Sequence, residues 1–253
     1  MRNLKEQLVY NKFSSIYDNF IGIEYGLWVN YIESLWVKFG LVPSLVLDLA
    51  CGTGNITIPL AKKGYDMIGI DSSTDMLTVA RDKAVNRQNI LLLEQDMCAF
   101  ELYGTVDACI STVDSVNYIL EPDELSEVFK LVHNYLNPGG LFIFDVNTEY
   151  KYQNILNTNS FCDITDDAAV IWENYYDEAS KINEYIVNIF IRTKNTIYER
   201  YEEIHHQRAY KAKNIQDLLT MANFEVLANY DALTFDKPHE KSERIFFVAK
   251  KSN

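Results

Sequence analysis

The stretch that most constrains this chain is Leu45-Val46-Leu47-Asp48-Leu49-Ala50-Cys51-Gly52-Thr53-Gly54-Asn55. A short apolar run ends in a loop of small residues, and helix-spaced apolar positions follow at Ile58, Leu60 and Ala61. A parallel strand buried on both faces reads this way, together with the tight turn that leaves its carboxyl end. In open α/β sheets, ligands bind just outside the carboxyl ends of strands. Gly52 and Gly54 can take positive φ and carry no Cβ, so a ligand can approach the backbone there. Unpaired N–H groups at the start of the next helix favour a negatively charged ligand group.

The pattern then repeats. Met67-Ile68-Gly69-Ile70 ends in Asp71, about 20 residues beyond the first glycine, where a doubly wound sheet puts a carboxylate on a ribose hydroxyl. Ile90 to Leu93 ends in Glu94-Gln95-Asp96-Met97, and Val106 to Ser111 ends in Thr112-Val113-Asp114-Ser115. Between these runs lie helical patterns. Gly64 is a stop for the first, Ser72 or Ser73 a cap for the second, and Pro122-Asp123 the start of a third that Asn137-Pro138-Gly139-Gly140 ends. Alternating strands and helices predict βαβ units and a largely parallel sheet.

The motifs together resemble those of class I S-adenosylmethionine-dependent methyltransferases, whose first motif reads approximately [LV]-D-x-[AG]-x-G-x-G. Asp71 with Met76 resembles the ribose-binding motif, Gln95-Asp96-Met97 the adenine-contacting motif, and Leu136 to Phe144 the turn and strand after the central helix. The resemblance is strong over residues 40–150. It implies a doubly wound, mostly parallel seven-stranded sheet and S-adenosylmethionine as cofactor. By the same resemblance, Asp48, Ala50, Cys51, Gly52, Gly54 and Asn55 would surround the methionine portion and nearby ribose. Asp71, beside Ser72, would accept the ribose hydroxyls, and Met76 would pack on the adenine. Asp96 would accept the exocyclic amine, Gln95 and Met97 would line the ring, and Ser111 would lie near the methionine tail. Many small-molecule members carry an N-terminal segment like Tyr10-x-x-Phe13-x-x-x-Tyr17 that folds over the cofactor.

The flanks complete the layout expected of one methyltransferase domain. Residues 1–40 read as a helical cap in two pieces, with Gly22 and Gly26 breaking the pattern, and residues 41–150 as the cofactor-binding core. Residues 151–209 change character: strand-like runs at Val170-Ile171-Trp172, Tyr185 to Ile191 and Ile197 to Tyr201 are separated by polar turns. Short loops between alternating strands predict an antiparallel insertion after the fifth strand. Residues 210–253 return a helix and a terminal strand pair to the core sheet.

Composition narrows the partners. A formal charge of -13 argues against a nucleic-acid substrate, which needs clustered Lys and Arg. No apolar run approaches the roughly 18 residues of a membrane span, and the start of the chain lacks the apolar region of a secretory signal. The four cysteines are scattered without a C-x-x-C pair, which argues against zinc and a disulfide framework. Cys51 reads as a small residue that fits its loop. A cytoplasmic enzyme without metal is the expectation.

On the acceptor side Asp114, Ser115 and Tyr118 are candidates by position, as are His205, His206 and Arg208 at the exit of the insertion. Adjacent residues in a strand point to opposite faces, so at most one histidine can face a site. Asp75 and Asp82 read as solvent-facing, and no catalytic residue is assigned. The leading expectation is methyl transfer to a small molecule, with a sugar amine, an RNA or protein acceptor, or a non-catalytic cofactor binder as alternatives. A dinucleotide-dependent oxidoreductase fits poorly, because Thr57 stands where its fingerprint has a third small residue.

Overall fold

Along the central strands, successive residues are buried on opposite sides of one sheet. Val46, Ile110, Ile143 and Phe246 belong to one apolar layer, while Leu47, Cys109, Phe144 and Phe247 belong to the other. Strands covered on both faces need apolar side chains at every position, which is why these segments read as continuous runs. The computed structural model describes residues 22–194 and 196–252.

In chain order the strands are β1 (Leu45–Leu49), β2 (Asp66–Asp71), β3 (Ile90–Glu94), β4 (Val106–Ser111), β5 (Leu136–Asn147), β6 (Ser160–Ile164), β7 (Ala168–Asp177), β8 (Ile182–Lys194), β9 (Ile197–Arg208), β10 (Phe224–Asp231) and β11 (Arg244–Lys251). The helices are α1 (Tyr25–Lys38), α2 (Thr57–Lys62), α3 (Thr74–Lys83), α4 (Pro122–Tyr135) and α5 (Ala212–Met221). The main sheet has seven strands in the order β10-β11-β5-β4-β1-β2-β3. β1 to β5 pair in parallel, and β11 runs antiparallel to both its neighbours. The strand order reverses at β1 and β4, the kind of switch point where α/β folds open a crevice.

Helices cover both faces. α1 buries Trp28, Ile32, Leu35 and Trp36, and α2 adds Leu60 and Ala61 to the same layer. Gly26 does not break α1. It lies in the first turn of the helix, where a Cβ would meet nothing. α4 and α5 cover the opposite face through Leu125, Phe129, Ile215 and Leu219. Within that layer Phe144 stacks on Phe142 at 4.6 Å and on Phe247 at 5.1 Å, with Phe129 tilted against it at 5.4 Å.

The predicted insertion forms a separate antiparallel sheet, β6-β7-β8-β9. Its Ala168, Val170, Val187 and Ile189 pack with Met76 of α3, so one face covers the carboxyl-end side of the main sheet. Asn117, in the 3-10 turn Ser115–Tyr118, ties the excursion at its root. Its amide donates to the carbonyls of Asn147 at 3.2 Å and Arg208 at 2.8 Å, the residues where the chain leaves β5 and β9.

Phe144→Ala removes the ring at the centre of the aromatic layer. We expect a cost of about 3–5 kcal/mol from lost burial and cavity formation. Thermal denaturation followed by circular dichroism should show Tm lowered by roughly 10 °C. A drop under about 2 °C would mean that the layer collapses to fill the gap.

Candidate active site

The loop after β1 alternates left-handed residues: Ala50 (φ 64°), Gly52 (54°) and Gly54 (79°). The two glycines have different reasons for being there. A Cβ at Gly54 would lie 3.0 Å from Ile58 Cδ1, so this glycine lets the loop close on α2. A Cβ at Gly52 would meet no atom within 4 Å. Its missing side chain leaves open space in front of the backbone, as a bound ligand requires. Ala50 takes a conformation that is strained for a residue with a side chain. Cys51 is buried, and its Sγ lies 2.9 Å from where a Cβ on Gly69 would be. Burial, reinforced by Asp48 and Asp71, pushes its thiol well above the ordinary value. Cys51 therefore fills space and is not a nucleophile.

The carboxylates at the strand ends are held by backbone. Asp71 Oδ2 accepts the Gly52 N–H at 2.8 Å, and Oδ1 accepts the Ser73 N–H at 2.9 Å. Burial pushes this carboxyl up, against the pull of those N–H groups and that of Ser72. Ser73, the second of the two expected caps, accepts from Met76 N–H and starts α3. Asp48 is buried and accepts a hydrogen bond from the Thr57 hydroxyl. Desolvation raises its carboxyl to about 7, with Asp71 adding to the shift and Thr57 opposing it. Lys83 Nζ reaches back from the end of α3 to Thr53 O at 3.1 Å and Asn55 Oδ1 at 2.9 Å.

Two clefts meet at Ala50. The larger, about 290 Å³, is lined by Asp71, Ser72, Gln95, Asp96 and Met97, together with Tyr118, Ile119 and Glu124. The smaller, about 60 Å³, is lined by Asp48, Cys51, Gly52, Thr53 and Asn55 and by Thr112, Val113 and Ser115 from beyond β4. Ser111 is fully buried at the end of β4, and its Oγ has no hydrogen-bond partner. Gln95 spends its amide on the Glu101 backbone, which shapes the loop after β3. Met76 packs instead against the insertion sheet. Tyr10, Phe13 and Tyr17 lie outside the described residues.

Beyond β4 the chain makes a second strained turn. Val113 (φ 59°) and Asp114 (φ 53°) are both left-handed. Asp145, buried in β5, accepts their N–H groups at 2.7 and 3.0 Å. Arg244 of β11 bonds Asp145 and also Asp114 Oδ1, the latter at 2.6 Å. Burial works against the guanidinium charge, but the two carboxylates outweigh it and hold Arg244 above its ordinary value. The Trp28 ring lies 5.2 Å from the guanidinium carbon. The other oxygen of Asp114 accepts from Gln207 Nε2 at 2.7 Å, and Gln207 Oε1 accepts the hydroxyls of Tyr152 and Tyr185. Asp114 is thus a tie between elements. His205 faces inward, its ring edge-on to Tyr118 at 6.0 Å, while His206 faces outward toward Glu184. Arg208 anchors β9 on the Leu120 carbonyl.

This geometry has counterparts in known proteins. Residues 46–140 match the model of a family described as a methyltransferase domain. The chain is 34% identical over 249 residues to the Bacillus subtilis (strain 168) protein YqeM, covering 97% of this chain and 98% of that one. It also superposes on the crystal structure of a S-adenosylmethionine-dependent methyltransferase from Clostridium acetobutylicum ATCC 824, with 34% identity and a TM-score of 0.86 over 96% of this chain and 99% of the other. The chain belongs to the S-adenosylmethionine-dependent methyltransferases. A more partial likeness, 33% over 102 residues, covers 40% of this methyltransferase and 42% of a Streptomyces venezuelae dTDP-3-amino-3,4,6-trideoxy-alpha-D-glucopyranose N,N-dimethyltransferase. Its cofactor is S-adenosylmethionine, and the clefts suit that molecule. The space before Gly52 and the unpartnered Ser111 Oγ are what a ligand pressed against this loop would fill and bond.

Asp48 gives the enzyme a pH signature. Its folded value of about 7 lies above the unfolded carboxylate value of 3.8, so the folded state holds the extra proton between the two. This group's contribution to stability is full below the unfolded value and is lost as pH rises toward about 7. Asp48→Asn keeps an acceptor for Thr57 and cannot ionise. The Tm advantage of this variant over wild type should therefore widen between about pH 4 and pH 7. A gap that stays constant across that range, followed by differential scanning calorimetry, would contradict the assignment.

Proposed function

We propose that this methyltransferase transfers the methyl group in line to a small-molecule acceptor. The observation that carries the reading is the meeting of the two clefts at Ala50, with the insertion sheet packed on α3 close by. Bound S-adenosylmethionine supplies a methyl group on a sulfonium, whose leaving group is a neutral thioether. The chain therefore has to hold, orient and keep dry. Asp71 receives the ribose hydroxyls with lone pairs its backbone donors leave free. Asp96, Gln95 and Met97 line the adenine end, and Asp48, Gly52, Asn55 and Ser111 the methionine end. Orientation of this kind supplies on the order of 7–11 kcal/mol of the barrier.

The insertion sheet supports a small acceptor. Gln207 on Asp114 and His205 against Tyr118 bring β9 down onto the turn that follows β4. The partial likeness to a sugar N,N-dimethyltransferase favours, as a second reading, an amine carried on a sugar.

Calorimetric titration with S-adenosylmethionine, S-adenosylhomocysteine and NAD tests the cofactor assignment. Both adenosyl ligands should bind in the micromolar range and NAD should not. Asp71→Ala should weaken them by roughly 100-fold, since a charge-assisted pair of hydrogen bonds is lost. Wild-type affinity in the variant would remove Asp71 from the ribose site. Transfer of a labelled methyl group to a tRNA or protein fraction, with none to small molecules, would overturn the acceptor class.

A further inference from the structure

The inner face of β9 carries an acidic group that the described residues satisfy at only one of its two oxygens. Glu203, His205 and Gln207 alternate along the strand and share this face. Gln207 bonds Asp114, and His205 lies against Tyr118 of the larger cleft. Between them and α3 is Glu203, whose side chain is 3% exposed. Its Oε2 lies 2.9 Å from His205 Nε2. Its Oε1 is buried and has no hydrogen-bond partner. A carboxylate oxygen left bare in a protein interior is expensive, more so than a neutral one.

The neighbours deepen the demand. Asp75, at the start of α3, is half-buried rather than solvent-facing. Burial and then the charges of Glu203 and Glu94 push its carboxyl up. Among the described residues no Lys or Arg forms a salt bridge with any of them, and His205 is the partner Glu203 has. The cluster therefore asks for a cation with N–H donors next to His205, whose ring meets Tyr118 of the larger cleft. A hydroxyl could donate to the bare oxygen but would bring no positive charge to offset the acids.

Resting on the methyl-transfer reading above, we propose that Glu203 receives the acceptor's amino group as an ammonium ion, so that the substrate class is a small-molecule amine. An ammonium has no lone pair and must give up one proton before it is methylated. That proton passes from nitrogen to the Glu203–His205 pair and leaves through His205, whose side chain is 15% exposed. The nitrogen keeps the electron pair of the broken N–H bond and uses it for the new N–C bond. Glu203 is the group that touches the substrate, and His205 positions it by holding the other oxygen.

The test uses the full chain and Glu203→Gln, which keeps the shape and an acceptor for His205. With S-adenosylhomocysteine bound, Tm is measured in methylammonium chloride and in potassium chloride at equal ionic strength, about 100 mM. Wild type should melt about 2 °C higher in methylammonium, and Glu203→Gln should melt alike in both. Equal Tm values for wild type, or an undiminished difference in the variant, overturn the proposal. Binding of S-adenosylhomocysteine, measured separately by calorimetry, should be the same in both proteins. Its absence in wild type would sink the cofactor reading instead. Label transfer from S-adenosylmethionine should go to a pool of primary and secondary amines and fall roughly 100-fold in Glu203→Gln. Transfer to the matched alcohols would overturn the amine assignment.

Discussion

Much of this molecule hangs on one buried charge. Asp145 lies in the middle of the main sheet and accepts two backbone N–H groups and the Arg244 guanidinium. Residues held in left-handed conformations cost of order 1–3 kcal/mol each and persist only when their surroundings over-determine them. Here the surroundings are Asp145 from below and Arg244 on the Asp114 carboxylate from the side. Through Gln207 the same carboxylate holds the insertion sheet, and through Trp28 the same guanidinium holds α1. Breaking a buried pair strands the remaining charge, which costs about 3–5 kcal/mol. The node is therefore a poor place to economise and a good place to fix geometry.

The two halves of the site differ in how much the sequence reveals. The cofactor half is local. Each strand ends in its own turn, so Asp48, Asp71 and Asp96 can be read within a few residues of the apolar run before them. The sheet then brings the ends together because β1 to β5 all run the same way. The insertion was legible as antiparallel strands for the same reason, since alternation and turns are local. What it packs on was not. That Met76 belongs under the insertion, and that Glu203 faces Asp75, depends on how two sheets dock.

The scaffold leaves its own marks in the sequence. Asp145 interrupts the apolar run Leu141-Phe142-Ile143-Phe144-Asp145-Val146, and an acid in a strand covered on both faces must have a buried partner. Arg244, opening an equally apolar strand, is the natural counterpart. Asp114 follows a strand end, where an acceptor-side group is expected, yet both its oxygens serve the scaffold. Ala50, Val113 and Asp114 carry no mark of their left-handed backbone, because that conformation is imposed by the groups around them.

The Asn117 amide binds the carbonyls at both ends of the insertion. The excursion thus leaves and rejoins the core at one point, like a loop whose ends already meet. For such a segment the entropy of closure changes only slowly with length. Strands can be added, trimmed or exchanged there without re-registering the seven-stranded sheet. The insertion is in this sense a detachable module, which can change while the seven-stranded sheet keeps its register.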